Sequence, residues 1–429
     1  MKKLVIDFSL WFFVATKMEN LMKKIICMLV FVFAAVSLFA GGTENKLNQS
    51  PGYSRFPAKN TETRKPDAVF FNPAGTALME DGLYFALGNQ FIYKKYTNVY
   101  AGKDYVTDEP SLIFPDLDIV WKHDNLALFT GFNMFAGGGG LEWEDGNAFT
   151  VQRLGEIGSS VGFPELRKLR HDMTLFSVVY GNMTGMAHTF LDDRLSVAVA
   201  GKILYGYQTS KVTMKDKIPV GPISQLLGND NVLADTKATG MGFGAVFGID
   251  YKPVPEWTFA ATYHTQTVVN FEYKKADGVG ASMLGAKKGE KFDYNIPAFL
   301  ALGAGWQVCD PLFLAVGANY YFNRQADYDY HDAWEINFAG EYRFNKYIAA
   351  SLGGFYSNVG TNGKDSGNNY FNPVLDSMTY CGGMEVDFCD RFSIDLGGFY
   401  TQYFAEHWHG AKIKKLIWEI SLGFTYKMF

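Results

Sequence analysis

The feature that most constrains this chain is an alternation of period two that returns along most of its length. Trp334, Ile336, Phe338, Gly340, Tyr342 and Phe344 alternate with Glu335, Asn337, Ala339, Glu341 and Arg343. Ile420, Leu422, Phe424, Tyr426 and Met428 alternate with Ser421, Gly423, Thr425 and Lys427. Leu195, Val197, Val199, Ile203, Tyr205 and Tyr207 do the same against Ser196, Ala198, Ala200 and Lys202. Successive side chains of a strand point to opposite faces, so each segment is a strand with one apolar face and one polar or small face. A soluble sandwich hides the apolar face inside, whereas a membrane barrel turns it to lipid. Alternation alone does not separate the two.

The connections do. Tight turns are expected at Asp124-Asn125, Asp192-Asp193, Pro253 to Glu256, Asp310-Pro311, Asn345-Lys346 and Asp390-Arg391. Between them fall longer polar stretches near 137–171, 211–238, 275–294, 323–332, 359–375 and 404–412. Short turns at one end and long loops at the other are the habit of outer-membrane barrels. Counting from Gly82 to Phe429 gives about fourteen strands, an even number that leaves both ends of the sheet in the periplasm. Composition agrees: 48% of residues are hydrophobic and 16% aromatic, yet mean hydropathy is −0.06, because an apolar outside and a polar inside average out. Tyr93, Tyr96, Trp121, Trp257, Trp306, Trp334 and Trp418 lie near strand ends, where interface girdles form. A net charge of −5 and no basic stripe argue against nucleic acid as a partner. The fold class read here is therefore all-β: a transmembrane antiparallel barrel over 82–429.

The N-terminus is organised differently. Residues 1–40 read as a signal peptide: Lys23-Lys24 is basic, Ile25 to Phe39 is apolar, and Ala40-Gly41-Gly42 is small. That apolar run is shorter than the ~20 residues of a spanning helix. Residues 41–81 are polar and aperiodic up to Arg64, then give Ala68-Val69-Phe70-Phe71, the turn Asn72-Pro73 and Ala77-Leu78-Met79. Pro73 fixes its own φ, and Asn72 before it is pushed toward extended geometry. Of the 4 Cys, Cys27 falls in the leader, and Cys309, Cys381 and Cys389 have neither CxxC spacing nor an even count.

The segment Asp67 to Met79, most sharply Phe71-Asn72-Pro73-Ala74-Gly75, followed by Gly82-Leu83-Tyr84-Phe85-Ala86-Leu87-Gly88, resembles the FadL/TodX family of outer-membrane transporters for hydrophobic compounds. In place of the Ala- and Gly-rich run usual before that turn stands Lys59-Asn60-Thr61-Glu62-Thr63-Arg64-Lys65. The resemblance implies a small N-terminal hatch over 41–81 plugging the barrel lumen. It also implies passive uptake: capture among external loops, an apolar pocket above the hatch, and lateral release by hatch movement and a kink in the third strand. That strand would run from Asn125 to Ala136, with Gly131 as the kink candidate, since an isolated strand Gly marks bulges. Partners implied are a hydrophobic small molecule such as a long-chain fatty acid, outer-membrane lipid, and the barrel-assembly machinery during insertion. The protein would work as a monomer in the bacterial outer membrane. Phe429 fits the terminal aromatic of such proteins by type, but lies out of phase with Met428.

Within 137–171, Leu141, Trp143, Phe149 and Phe163 supply apolar matter for a landing groove, and Arg153, Arg167, Lys168 and Arg170 are candidates to pair with a carboxylate head group. Gly137 to Gly140 is no phosphate loop, because no Lys-Ser/Thr follows. There is no HExxH or GxSxG, and His407-Trp408-His409 lacks a second ligand pair, so no catalytic residue, metal or cofactor is expected. Two other readings remain open: a general polar porin, and a surface adhesin or barrel enzyme acting through its loops.

Overall fold

The structure, a computed structural model, describes residues 50–161, 164–216, 231–278, 280–281, 286–326, 331–360 and 370–429. The segment read as a signal peptide lies outside them. The strands are β1 (Gly82–Tyr100), β2 in two pieces (Lys103–Thr107 and Pro115–His123), β3 (Leu126–Trp143), β4 (His171–Phe190), β5 (Leu195–Met214) and β6 (Val232–Tyr251). Then come β7 (Trp257–His264 and Thr267–Asp277), β8 (Lys291–Ile296 and Phe299–Cys309), β9 (Leu312–Tyr321) and β10 (Ala333–Asn345). The last are β11 (Ile348–Asn358), β12 (Ser377–Cys389), β13 (Phe392–Tyr403 and Glu406–Trp408) and β14 (Ala411–Lys427). Each pairs antiparallel with its sequence neighbours, and β14 returns to β1 in unbroken register from Tyr84–Lys427 to Val99–Lys412. The result is a closed barrel of fourteen strands with no free sheet edge. All six tight turns fall where the sequence puts them.

The barrel is inside-out relative to a soluble protein. On β10, Ile336, Phe338 and Phe344 are at least half exposed, whereas Glu335, Asn337 and Glu341 are buried in the lumen. Val197, Val199 and Ile203 on β5 face outward in the same way. An outward apolar face this continuous is stable only against hydrocarbon. Aromatic rows mark where that hydrocarbon ends. Near the long-loop end Tyr93, Trp418, Tyr400 and Tyr380 stand directly opposite one another across β1, β14, β13 and β12. The Tyr93 and Trp418 rings stack at 4.1 Å. Near the tight-turn end Trp257 stacks on Trp306 at 5.4 Å. Tyr96 is not part of a girdle: it sits one residue out of phase with Tyr93 and points into the lumen, where it is buried.

Residues 50–81 pack inside the barrel as four short pieces. These are α1 (Pro51–Arg55), a 3-10 turn Lys59–Thr61, α2 (Ala68–Phe71) and a 3-10 turn Pro73–Leu78. Ser50 caps α1 by accepting from the Tyr53 N–H. At the other end of the lumen, α3 (Ala148–Val161) and a 3-10 turn Pro164–Lys168 lie between β3 and β4 as part of a cap. Here the structure differs from the sequence expectation. Residues 137–143 are not loop but the upper part of β3, and Leu141, Trp143, Leu154, Leu166 and Leu169 are packed into a cap core.

Candidate functional site

Residues 50–81, the segment expected to be a hatch, are held in the lumen by charge on one side and aromatic packing on the other. Arg55, at the end of α1, donates to Asp395 Oδ1 at 2.9 Å and to Glu385 Oε2 at 2.8 Å, and also pairs with Glu341 and Ser351. Lys65 reaches Ser393 at 2.9 Å and Glu385 at 3.2 Å, and Arg64 pairs with Glu341 at 3.1 Å. Lys59 lies between Glu62, at 2.7 Å, and Asp67, at 3.0 Å. Burial favours the neutral form of Glu62, but Lys59 and Arg64 outweigh it and hold the carboxyl down at about 2. For Asp67 burial wins, and its carboxyl is pushed up despite Lys59. Arg55, Arg64 and Lys65 thus tie this segment to Glu341, Glu385 and Asp395 of β10, β12 and β13, whereas Lys59 pairs within the segment.

The turn itself is held separately. Asn72 Nδ2 donates to Asp250 Oδ2 on β6 at 2.6 Å and to the Glu62 carbonyl at 3.1 Å, and Ser196 on β5 donates to the Ala74 carbonyl at 2.7 Å. Gly75 is there for space: a Cβ on it would lie 2.0 Å from the Glu62 carbonyl oxygen. Pro73 starts the closing 3-10 turn, and Phe71 stacks on Tyr53 at 5.3 Å. Phe70 meets Phe135 of β3 edge-on at 5.2 Å.

That last contact touches the irregular part of the wall. On β3 the register with β4 slips between Met134 and Ala136 and again between Ala136 and Gly139. Gly137 and Gly139 take φ of 89° and 78°, which a glycine adopts freely. A Cβ on Gly137 would also sit 2.3 Å from the Ser177 carbonyl oxygen. The glycine run read as the start of a loop is therefore what lets β3 continue through a double bulge. Gly131, the kink candidate, sits instead in regular register, opposite both Asp118 and Met183. Its missing side chain makes room for Asp118 and for the hatch residue Val69. On the other side of β3, the ladder to β2 runs from His123–Leu126 only as far as Leu117–Phe132. Past it, Ser111 bonds the backbone of Ile92 on β1 at 2.8 and 2.9 Å, and Leu112 and Ile113 are exposed on the outer face.

Between hatch and cap is a cavity of about 80 Å³. Tyr53 forms its floor, Ile92, Phe114, Phe355, Phe399 and Ile417 line it, and Gly138 of the bulge is at its side. Lys94, buried on the inner face of β1, donates to Ser111 Oγ at 3.2 Å and to the Gly138 carbonyl. Lys415 lies over the rings of Tyr96 and Tyr403 and donates to the Pro373 carbonyl at 3.0 Å. Sequence reasoning missed Lys94, although its phase was readable: it shares the inward face of β1 with Gln90 and Tyr96.

The other candidates lie elsewhere. Arg153 pairs with Glu156 at 2.8 Å, Lys168 with Glu165 at 2.7 Å and Arg170 with Asp216 at 2.8 Å, all on the exposed cap, where Arg167 is exposed as well. They do not converge on the cavity. Leu141 and Trp143 are buried in the cap core, Phe149 packs against it, and Phe163 lies outside the described residues. Among the described residues, Asp81, His123 and Asp124 bring possible ligand atoms within 4.8 Å of one another, but all three are exposed, and Asp81 already pairs with Lys122 at 2.6 Å.

A closed barrel with an apolar outer face, aromatic rows at its ends and an N-terminal segment folded into its lumen is a transmembrane β-barrel. Its fold is that of the FadL/TodX outer-membrane transporters. A Pseudomonas aeruginosa FadL homologue superposes with a TM-score of 0.63 at 14% identity, covering 91% of this chain and 99% of that one. The Pseudomonas putida toluene transporter TodX gives 0.61 at 14% identity, over 87% of this chain and 96% of its own. The Ralstonia pickettii toluene transporter TbuX gives 0.60 at 14% identity, over 87% and 98%. No family model matches the sequence, and no curated protein does.

Proposed function

We propose that this barrel admits hydrophobic small molecules passively across the outer membrane, with long-chain fatty acids as the preferred class. The observation that supports the reading is the small cavity between hatch and cap, lined by Tyr53, Ile92, Phe114, Phe355, Phe399 and Ile417 beside Ser377, Thr379 and Thr401, with Gly138 of the β3 bulge in its wall. A molecule in it leaves water at a gain of about 0.8 kcal/mol per CH₂. Exposed cap cations, Arg153, Arg167, Lys168 and Arg170, would meet an anionic head group first. Release would follow a shift of the hatch, which bears on the bulge through Phe70 and Phe135, and would pass between β2 and β3 beside Leu112 and Ile113. Lys94 favours an acid over a neutral hydrocarbon, since a buried ammonium bonded only to neutral oxygens gains from a carboxylate. Solved relatives in fold include toluene transporters and a monoaromatic hydrocarbon channel, so toluene is the natural competitor.

The test is binding of a fluorescent long-chain fatty acid to detergent-folded protein, with toluene, a short-chain acid and a sugar as competitors. Saturable binding displaced by long-chain acid, and weakened roughly tenfold in Lys94→Met, is expected. Displacement by toluene alone would move the reading to neutral hydrocarbons. Absence of binding together with sugar leakage from proteoliposomes would replace it with a polar porin.

A further inference from the structure

We propose that the outer face of β1 and β14, just above the Tyr93–Trp418 stack, binds the phosphate groups of an anionic outer-leaflet lipid through Lys95, Lys412 and Lys414. All three are exposed, and all three share the outward phase: Lys95 with Tyr93, and Lys412 and Lys414 with Trp418 and Ile420. Their neighbours Lys94 and Lys415 have the opposite phase and face the lumen. Register brings the three together, because Lys414 is opposite Thr97, Lys412 opposite Val99 and Lys95 opposite Leu416. Lys95 and Lys414 are therefore diagonal neighbours, about 7–8 Å apart. Lys412 follows Lys414 on the same face, two residues or roughly 7 Å further on.

Several other lysines of this chain have carboxylates: Lys103 with Asp145, Lys122 with Asp81, Lys215 with Asp172, Lys427 with Glu80. Among the described residues, no ion pair is recorded for Lys95, Lys412 or Lys414. The nearest outward carboxylates are on the first piece of β2 and its continuation: Asp104 stands opposite Val99, and Asp108 falls in line with Lys95 by the register that runs from Tyr96–Thr107 to Ile92–Ser111, yet neither lies within ion-pair distance of the three lysines. Like charges on adjoining positions of a sheet repel one another, and an anion lying between them reverses the sign.

Position identifies the anion. The Tyr93–Trp418–Tyr400–Tyr380 row marks the edge of the hydrocarbon. Lys95 is two residues above that row, and Lys414 and Lys412 are four and six above it. Allowing for strand tilt, they occupy roughly the first 5–15 Å beyond it, the depth of lipid head groups. Lysine stems lie along the apolar surface and present their ammonium groups at that level. Stacked aromatic rings below and ammonium groups above match one molecule with an acyl body and a phosphate head. The cargo plays no part in this inference.

The experiment uses the full protein in phosphatidylcholine vesicles doped with brominated phosphatidic acid or brominated phosphatidylcholine. Bromine quenches tryptophan at short range, and the quenching lost in Trp418→Phe isolates this site from the rest of the 8 Trp. Phosphatidic acid should associate roughly tenfold better than phosphatidylcholine. The ratio should fall to about one in the triple variant Lys95→Gln, Lys412→Gln, Lys414→Gln, and should persist in the matching triple Arg variant, which keeps the charge. Should the Gln triple fail to fold, Lys414→Gln alone should still lower the ratio several-fold. A ratio near one in the wild type, or one unchanged in the Gln variants, overturns the proposal. So does a preference that excess inorganic phosphate abolishes, which would assign the patch to soluble anions.

Discussion

Replacing Arg55 by Met should free the hatch while leaving the barrel closed. The guanidinium is buried and contacts three carboxylates from β10, β12 and β13. After its loss Glu341 keeps Arg64 at 3.1 Å, and Glu385 keeps Arg343 at 2.8 Å and Lys65 at 3.2 Å. Asp395 is the carboxylate whose ion pair disappears, so the loss is that of one broken buried pair, about 3–5 kcal/mol. At 1.4 kcal/mol per factor of ten, the ratio of displaced to docked hatch should rise by roughly 10² to 10³·⁵. Arg55→Lys keeps the charge without the planar fork and should fall between. Single-channel recording in planar bilayers reads the change directly: brief, rare openings in the wild type, frequent ones in Arg55→Met, with the unheated protein still migrating as a folded barrel on gels. Equal opening frequencies in the two proteins would refute the view that this cluster carries the docking energy.

Further outcomes are expected around the turn. Asn72→Ala leaves the buried Asp250 carboxylate without its amide donor, at a cost of about 1–3 kcal/mol, and should raise protease cleavage between residues 60 and 80 in folded protein. Gly75→Ala places a methyl against the Glu62 carbonyl oxygen and should undock the turn at least as strongly, by the same protease readout. Glu62 has its carboxyl lowered to about 2, so its contribution is complete above the ordinary carboxylate range and is lost as pH falls from about 4.5 through about 2. Asp67, held high by burial, works in the opposite sense, since its protonation relieves the docked state. Hatch cleavage should accordingly not rise between pH 7 and about 5 and should rise only in stronger acid, and Glu62→Gln should remove that acid-side rise. A rise already complete at pH 6 would assign it to other groups.

Period-two alternation specified the strands, because a barrel strand has only two faces and one of them must be apolar, and it was the asymmetry of short and long connections that pointed to a wall in lipid. The turn positions followed from Asp, Asn and Pro at the same end of each hairpin. The bulge was less legible. Gly137 to Gly140 looks like a loop because glycine run length says nothing of φ, and the pairing of Leu141 and Trp143 with Leu175 and Met173 depends on residues thirty positions away. Gly131 drew attention by standing alone in a strand, and in the structure it stands in regular register, with Asp118 and Val69 where a side chain would be. Lys94 was hidden by lying next to Lys95, since two adjacent lysines read as one charged spot until phase separates the lumenal one from the lipid-facing one. The anchor at Arg55 could not be found by spacing, because its partners come from three strands that only closure assembles.

That closure also sets the order of assembly. β1 completes its outer ladder only with β14, the strand of the barrel farthest from it in sequence, and Arg55 binds Asp395, 340 positions downstream. The seam and the lumenal segment's anchor therefore cannot form until the strands between them are in place. Contacts so distant in sequence fold slowly, and a chain truncated anywhere before β14 would keep its hatch without a barrel to hold it.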